Sequence, residues 1–268
     1  MYRYTLTEWL FFFYLYCFFG WIFESGYVSL KSRKPVNRGF MRGPFLPLYG
    51  SGAILVLMVT IPVRDNLFLM YIFGMIAATV LEYVTGVCME ALFKVRYWDY
   101  SNLKFNYKGQ ICLTSSIAWG FLTIFVVKVI HAPIEAFVVP LHNEIKTLVV
   151  FLVTIVVTAD MAVSVKEAIE LRDLVSYMDR AKDEFELLKE RLDVVIAVAD
   201  EEINQKIDSF KEKTENIREK TDGYRLAFER KQEKIIKRFL YANPTASSSR
   251  FKTVVVELKD VVNRRKNR

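Results

Sequence analysis

The sequence predicts an all-α fold: a polytopic helical membrane bundle of about five spans, followed by a long cytoplasmic helix with coiled-coil character. Three observations predict it. The 268 residues are 53% apolar and 15% aromatic, and their mean hydropathy of +0.19 is above that of an ordinary soluble domain. The composition breaks near residue 165, with apolar stretches and short basic loops before it and a chain rich in Glu, Lys, Asp and Arg after it. Five apolar stretches, near 6–29, 44–63, 67–91, 112–131 and 147–165, are long enough at about 1.5 Å per residue to cross about 30 Å of hydrocarbon. The division expected is 1–165 as the transmembrane domain, 166–241 as the long helix, and 242–268 as a linker with a short basic amphipathic helix.

The first span is followed by Lys31, Arg33, Lys34, Arg38 and Arg42. The second opens on "RGPFLPLYGSGA", where Gly43, Pro44, Pro47, Gly50 and Gly52 oppose a clean helix start. Two readings stay open there: broken backbone at membrane depth, which needs protein or a wet cavity around it, or an interfacial loop with the helix starting near Gly50. The next loop offers Arg64 against Asp65, and the third loop carries Lys94, Arg96, Lys104 and Lys108. After the fourth span, Lys146 stands against Glu135 and Glu144 in an outer loop with His131 and His142. Basic and poor loops thus alternate, which places the N-terminus outside and the first loop, the third loop and the C-terminal segment in the cytoplasm.

Beyond Lys166, Leu171, Val175, Met178, Ala181, Phe185, Leu188, Leu192 and Val195 recur in steps of three and four. After a stutter, Ile203, Ile207, Phe210, Ile217, Tyr224 and Phe228 resume the stripe. The pattern predicts one helix of about seventy residues suited to a homodimeric coiled coil. "NPTASSS" ends it, and Phe251, Val254, Val255, Leu258, Val261 and Val262 line a last helix that packs back on the tail or meets anionic lipid, packing being preferred.

Several function classes are set aside. The net charge of +7 sits largely in the loops and at the extreme C-terminus, so it indicates bilayer topology rather than nucleic acid. Cys17, Cys88 and Cys112 have neither disulfide nor zinc spacing and serve as packing residues. The first apolar stretch is too long for a signal h-region and lacks a small-residue cleavage site. No cofactor or metal set is expected, a loop role being preferred for the two histidines.

The residues that raise a functional question are acids inside apolar runs. Glu82, Gly86 and Glu90 fall at i, i+4 and i+8 on one face of the third span, opposite Val80, Val84, Val87 and Ala91. Glu24 interrupts the first span, about 10 Å in helical rise from Lys31. Topology places Glu24 and Glu82 in the cytoplasmic half of the bilayer with Arg38, Arg42 and Arg96 near them, and an Arg pairs a carboxylate bidentately while staying charged. Glu90 and Asp99 complete the candidate substrate- or ion-binding set. The plainer alternatives are that buried ion pairs fix helix register, that Glu90 snorkels to the interface, and that Tyr97, Trp98, Tyr100 and Tyr107 form an aromatic belt.

"GWIFESGYVSLKSRKPVNRGFMRGPFLPLYGSGA", "LEYVTGVCMEALFKVRYWDYS" and "FNYKGQICLTSSIAWG" resemble motifs of the family called putative ABC-transporter type IV, over roughly residues 1–165. The resemblance implies a multi-pass protein of the bacterial cell membrane, a transport permease rather than an enzyme. It supplies no substrate and no catalytic residue. No G-x-x-x-x-G-K-[ST] motif is present, so a partner ATPase would be a separate chain. Besides a permease for a small polar or ionic solute, two readings are kept: a membrane-anchored scaffold acting through its coiled coil and, ranked last, a lipid-modifying enzyme, for which no activated nucleophile is visible.

Overall fold

The structure, a computed structural model, describes residues 4–198. Helix α1 spans Leu6–Ser32 and starts at a capping box: the Thr5 hydroxyl accepts from the Glu8 amide at 3.3 Å, and the Glu8 carboxylate accepts from the Thr5 amide at 2.8 Å. The helix stops at Arg33, which takes a left-handed φ of 53°. The chain then returns along α1. The Val36 amide donates to Ser29 Oγ (2.9 Å), the Arg38 amide to Ser25 Oγ (3.0 Å), and the Leu46 amide to the Cys17 carbonyl (3.0 Å). Each contact lies nearer the start of α1 than the last, and Cys17 is close to the midpoint of that helix.

Only there does α2 begin, at Pro47, where a missing amide costs nothing. It runs Pro47–Thr60 and ends in a tight 3₁₀ turn, Ile61–Val63. The second predicted span, 44–63, is thereby corrected to a shorter apolar helix, because the segment before it runs down the flank of α1 in non-helical form. Gly50 permits the close packing: a Cβ there would stand 2.4 Å from Cys17 Sγ and 2.8 Å from the Phe13 carbonyl.

Helix α3, Leu67–Phe93, is capped by Asn66, whose Oδ1 accepts from the Phe68 and Leu69 amides. Met70, Gly74, Ala78, Glu82 and Gly86 form its buried face, and Val80, Val84 and Val87 are exposed. A small antiparallel hairpin follows, Asn106–Tyr107 (β1) with Ile111–Cys112 (β2), the one departure from helix among the described regular elements.

Helix α4, Leu113–Phe125, continues through a wide π turn at Val126–Ile130 into α5, His131–Val138. Pro133, which has no amide to give the preceding turn, lies just beyond the widening. The fourth span therefore reaches Val138 rather than 131, and His131 is corrected from a loop residue to a buried helical one. Helix α6 spans Asn143–Val198, so Lys146 belongs to a helix rather than an outer loop.

Among the described residues, four helices are long and apolar enough to cross a membrane, not five: Leu6–Ser32, Leu67–Phe93, Leu113–Val138 and the Asn143–Asp173 part of α6. The chain separates into a unit that takes in residues up to Ala168 and a second that begins at Ile169. In the second, α6 continues to Val198, with Arg172 and Asp173 paired at 2.7 Å. The predicted stripe from Ile203 onward, the linker and the basic helix lie outside the described residues, so the coiled coil and a homodimer through it stay expectations. The apolar core of the first unit gathers Tyr4, Trp9, Phe12, Tyr16, Leu57, Ile134, Val138 and Val150, with edge-to-face ring pairs at 5.0 Å (Tyr4–Phe12) and 5.2 Å (Tyr4–Trp9).

Candidate functional site

Helices α1 to α4 and the π turn line a half-open cavity of about 220 Å³, with Phe19, Phe23 and Phe125 exposed at its margin. Phe19 and Phe23 of α1, Tyr49 of α2, and Trp119 and Phe125 of α4 supply rings to its walls, and Gly20, Gly52, Ala53 and Ala78 keep room for it. Among the described residues, Glu82 is the one acid on the lining. It reaches the cavity because α3 places Glu82 on its small-residue face, one turn from Ala78 and Gly86.

The Glu82 carboxylate accepts three hydrogen bonds, all from neutral groups. Tyr100 OH donates to Oε1 at 2.9 Å and Trp119 Nε1 to Oε2 at 3.0 Å, while Ser115 Oγ, 3.3 Å from Oε2, shares its one proton between Glu82 and the Cys112 carbonyl at 2.9 Å. Trp119 and Ser115 are one helical turn apart on α4, so both point to the same neighbour. Among the described residues no cation lies within ion-pair distance of Glu82. Burial, and then the Glu82 charge, pushes the Tyr100 hydroxyl above the usual tyrosine range, so Tyr100 remains a donor.

Glu24 stands behind Tyr49. The tyrosine hydroxyl donates to Glu24 Oε1 at 2.7 Å, and Arg38 Nε is 3.7 Å from Oε2. Burial draws the Arg38 guanidinium below its ordinary range, and the Glu24 charge opposes that. The Tyr49 and Trp119 rings meet edge to face at 6.4 Å, so an aromatic pair bridges the two carboxylate sites. The structure thus places Glu82 on the cavity lining, with Glu24 and Arg38 off the lining behind Tyr49.

The remaining predicted site residues lie elsewhere. Arg96 Nε binds Glu90 at 2.8 Å and its Nη1 is 3.8 Å from Asp99, while Gln110 Nε2 donates to Glu90 at 2.5 Å. Together these tie the loop and hairpin to the end of α3, a group off the cavity. Arg42 pairs with Glu167, not with Glu24 or Glu82. Its amide (3.2 Å) and that of Gly43 (2.8 Å) donate to Asp160 of α6, which satisfies the returning backbone.

Sequence reasoning overlooked Tyr49, Tyr100, Ser115 and Trp119 as partners of the acids. It also overlooked a second polar group at the other end of α1. Lys146 Nζ binds Glu8 at 2.7 Å in a nearly dry setting, where the sequence alone counts it only among the charges of an outer loop. His131 is held on both nitrogens, by Tyr4 OH at 3.0 Å and Tyr16 OH at 2.9 Å. Among the described residues no group of three or more His, Cys, Asp or Glu is placed to hold a metal ion.

A family model described as Putative ABC-transporter type IV matches residues 11–165. No curated protein and no solved structure matches the chain.

Proposed function

The chain belongs to the Putative ABC-transporter type IV family, and from that premise we propose that it is a permease subunit moving a small polar or ionic solute through the cavity between α1, α2, α3 and α4. The observation that carries this reading is Glu82: a buried carboxylate on an open cavity, held by neutral donors. An intramembrane acid left to neutral donors is costly, and a solute that uses its charge accounts for the cost. Glu24 and Arg38 extend the polar wall behind Tyr49. Arg42, Glu90, Arg96 and Asp99 hold the surrounding loops in place. The returning segment before Pro47 places non-helical backbone beside the bundle's middle, an arrangement that transporters use at their binding sites.

In this reading the protein sits in the bacterial cell membrane with its N-terminus outside and its C-terminus in the cytoplasm: the returning segment and α2 together make a crossing beside the four spanning helices, which keeps the basic residues of 31–42 and of 94–108 on one side. A separate ATPase chain supplies energy, and two copies complete the permease. The test is solute flux across a panel in cells or inverted vesicles that contain the chain and its partners. Glu82→Gln is expected to abolish flux with expression intact, and unchanged flux removes Glu82 from the mechanism.

A second reading is favoured by one observation, the continuation of α6 well past the bilayer-length part. There the bundle is an anchor and the tail recruits a partner. Deleting 170–268 separates the two: function that survives the deletion sinks the scaffold.

A further inference from the structure

The carboxylates of the first unit differ in how their charge is met. Glu8 has Lys146 at 2.7 Å, Glu24 has Arg38 at 3.7 Å, Glu90 has Arg96 at 2.8 Å, and Glu167 has Arg42. Asp160 accepts from two backbone amides. Glu82 is among the most buried of them, 4% exposed, and among the described residues it has no cation. Trp119 can only donate, so the three groups around Glu82 solvate an anion in place of water but leave its net charge uncompensated. The cavity it faces is lined almost wholly by carbon, with the rings of Phe19, Phe23, Tyr49 and Trp119 close by. Aromatic faces attract a positive charge, and the more so away from water.

We propose that this cavity binds a monovalent organic cation with an apolar body, whose positive charge answers Glu82 and whose carbon skeleton fills the ring-lined space. Charge complementarity selects the sign. The single uncompensated carboxylate sets the valence, and the apolar lining excludes a small hydrated ion such as Na⁺, which would demand several oxygen ligands. An anionic solute is excluded by the same carboxylate. This assignment rests on the reading of the cavity as the solute site and names the solute class.

The test is equilibrium dialysis of the detergent-solubilised full chain with benzyltrimethylammonium and with neopentylbenzene, its uncharged carbon isostere. The wild type is expected to bind the ammonium saturably, and the isostere at least about tenfold more weakly, because a buried charge pair is lost. Glu82→Gln should weaken ammonium binding by about tenfold or more, and Glu82→Asp should restore part of it. Equal binding of the two probes by the wild type overturns the proposal, as does a lack of ammonium binding or an unaffected Glu82→Gln variant. The comparison of probes needs only wild-type protein, so a variant that fails to fold does not blunt it. Ammonium binding without flux in vesicles keeps the cation site and removes the permease. Glu82-dependent flux of a solute that is not a cation, with no ammonium binding, does the reverse.

Discussion

Glu8 and Glu82 are both buried glutamates on helices of spanning length, yet the protein treats them in opposite ways. Glu8 caps its own helix and takes a 2.7 Å contact from Lys146, at the end of α1 where rings pack edge to face. Every strong demand of its charge is met inside the protein. Glu82 has only hydroxyl and indole donors and a cavity beside it. Burial alone therefore does not mark a functional acid. What separates the two is whether the fold itself supplies the opposite charge.

The sharpest way to break this contrast is Lys146→Met. It strands Glu8 without its cation, and the expected loss is about 3–5 kcal/mol of stability, read as a large drop in unfolding temperature in detergent. Adding Glu8→Gln should recover much of that. Next comes Asp160→Asn, whose amide end cannot accept from the Arg42 or Gly43 N–H; about 1–3 kcal/mol is expected by the same measurement. Tyr16→Phe removes one bond to His131 Nδ1 and should cost about 0.5–1.5 kcal/mol. Glu82→Gln should cost least, under about 1 kcal/mol. Its amide oxygen can accept from Trp119 and Ser115 while its NH₂ donates to the rotatable Tyr100 hydroxyl. The substitution with the smallest effect on stability is thus expected to abolish transport. If it unfolds the protein as readily as Lys146→Met does, Glu82 is a structural residue of the same kind as Glu8.

Hydropathy made much of the bundle legible. The first and third spans were expected at 6–29 and 67–91 and run Leu6–Ser32 and Leu67–Phe93, because a long uninterrupted apolar run has few other solutions. The split face of α3, with Glu82 and Gly86 inside and the valines outside, followed from helical period alone. Windowed hydropathy cannot see that residues before Pro47 lie alongside α1 through the side chains of Ser25 and Ser29, so α2 was expected too long. Nor can it see pairs made across the fold. In sequence Lys146 is one charge among those of a loop, whereas its partner Glu8 is 138 positions away. The partners of Glu82 are hidden for a different reason: Tyr100 belongs to a cluster that also fits an aromatic belt, and Trp119 and Ser115 lie in an apolar helix with no charge beside them.

The tie between Asp160 and the segment before Pro47 also fixes an order of events during synthesis. The Gly43 amide emerges 117 residues ahead of its acceptor. Until the last spanning helix has been made, the segment beside α1 carries two donors with no home, and an early chain has reason to leave it at the aqueous surface. Arrival of Asp160 supplies their acceptor, and the segment that leads into α2 is then satisfied on the side away from α1 as well. The end of the bundle is in this sense needed to finish its beginning, so a chain interrupted before Asp160 would keep its first helices yet leave the Arg42 and Gly43 amides without their acceptor.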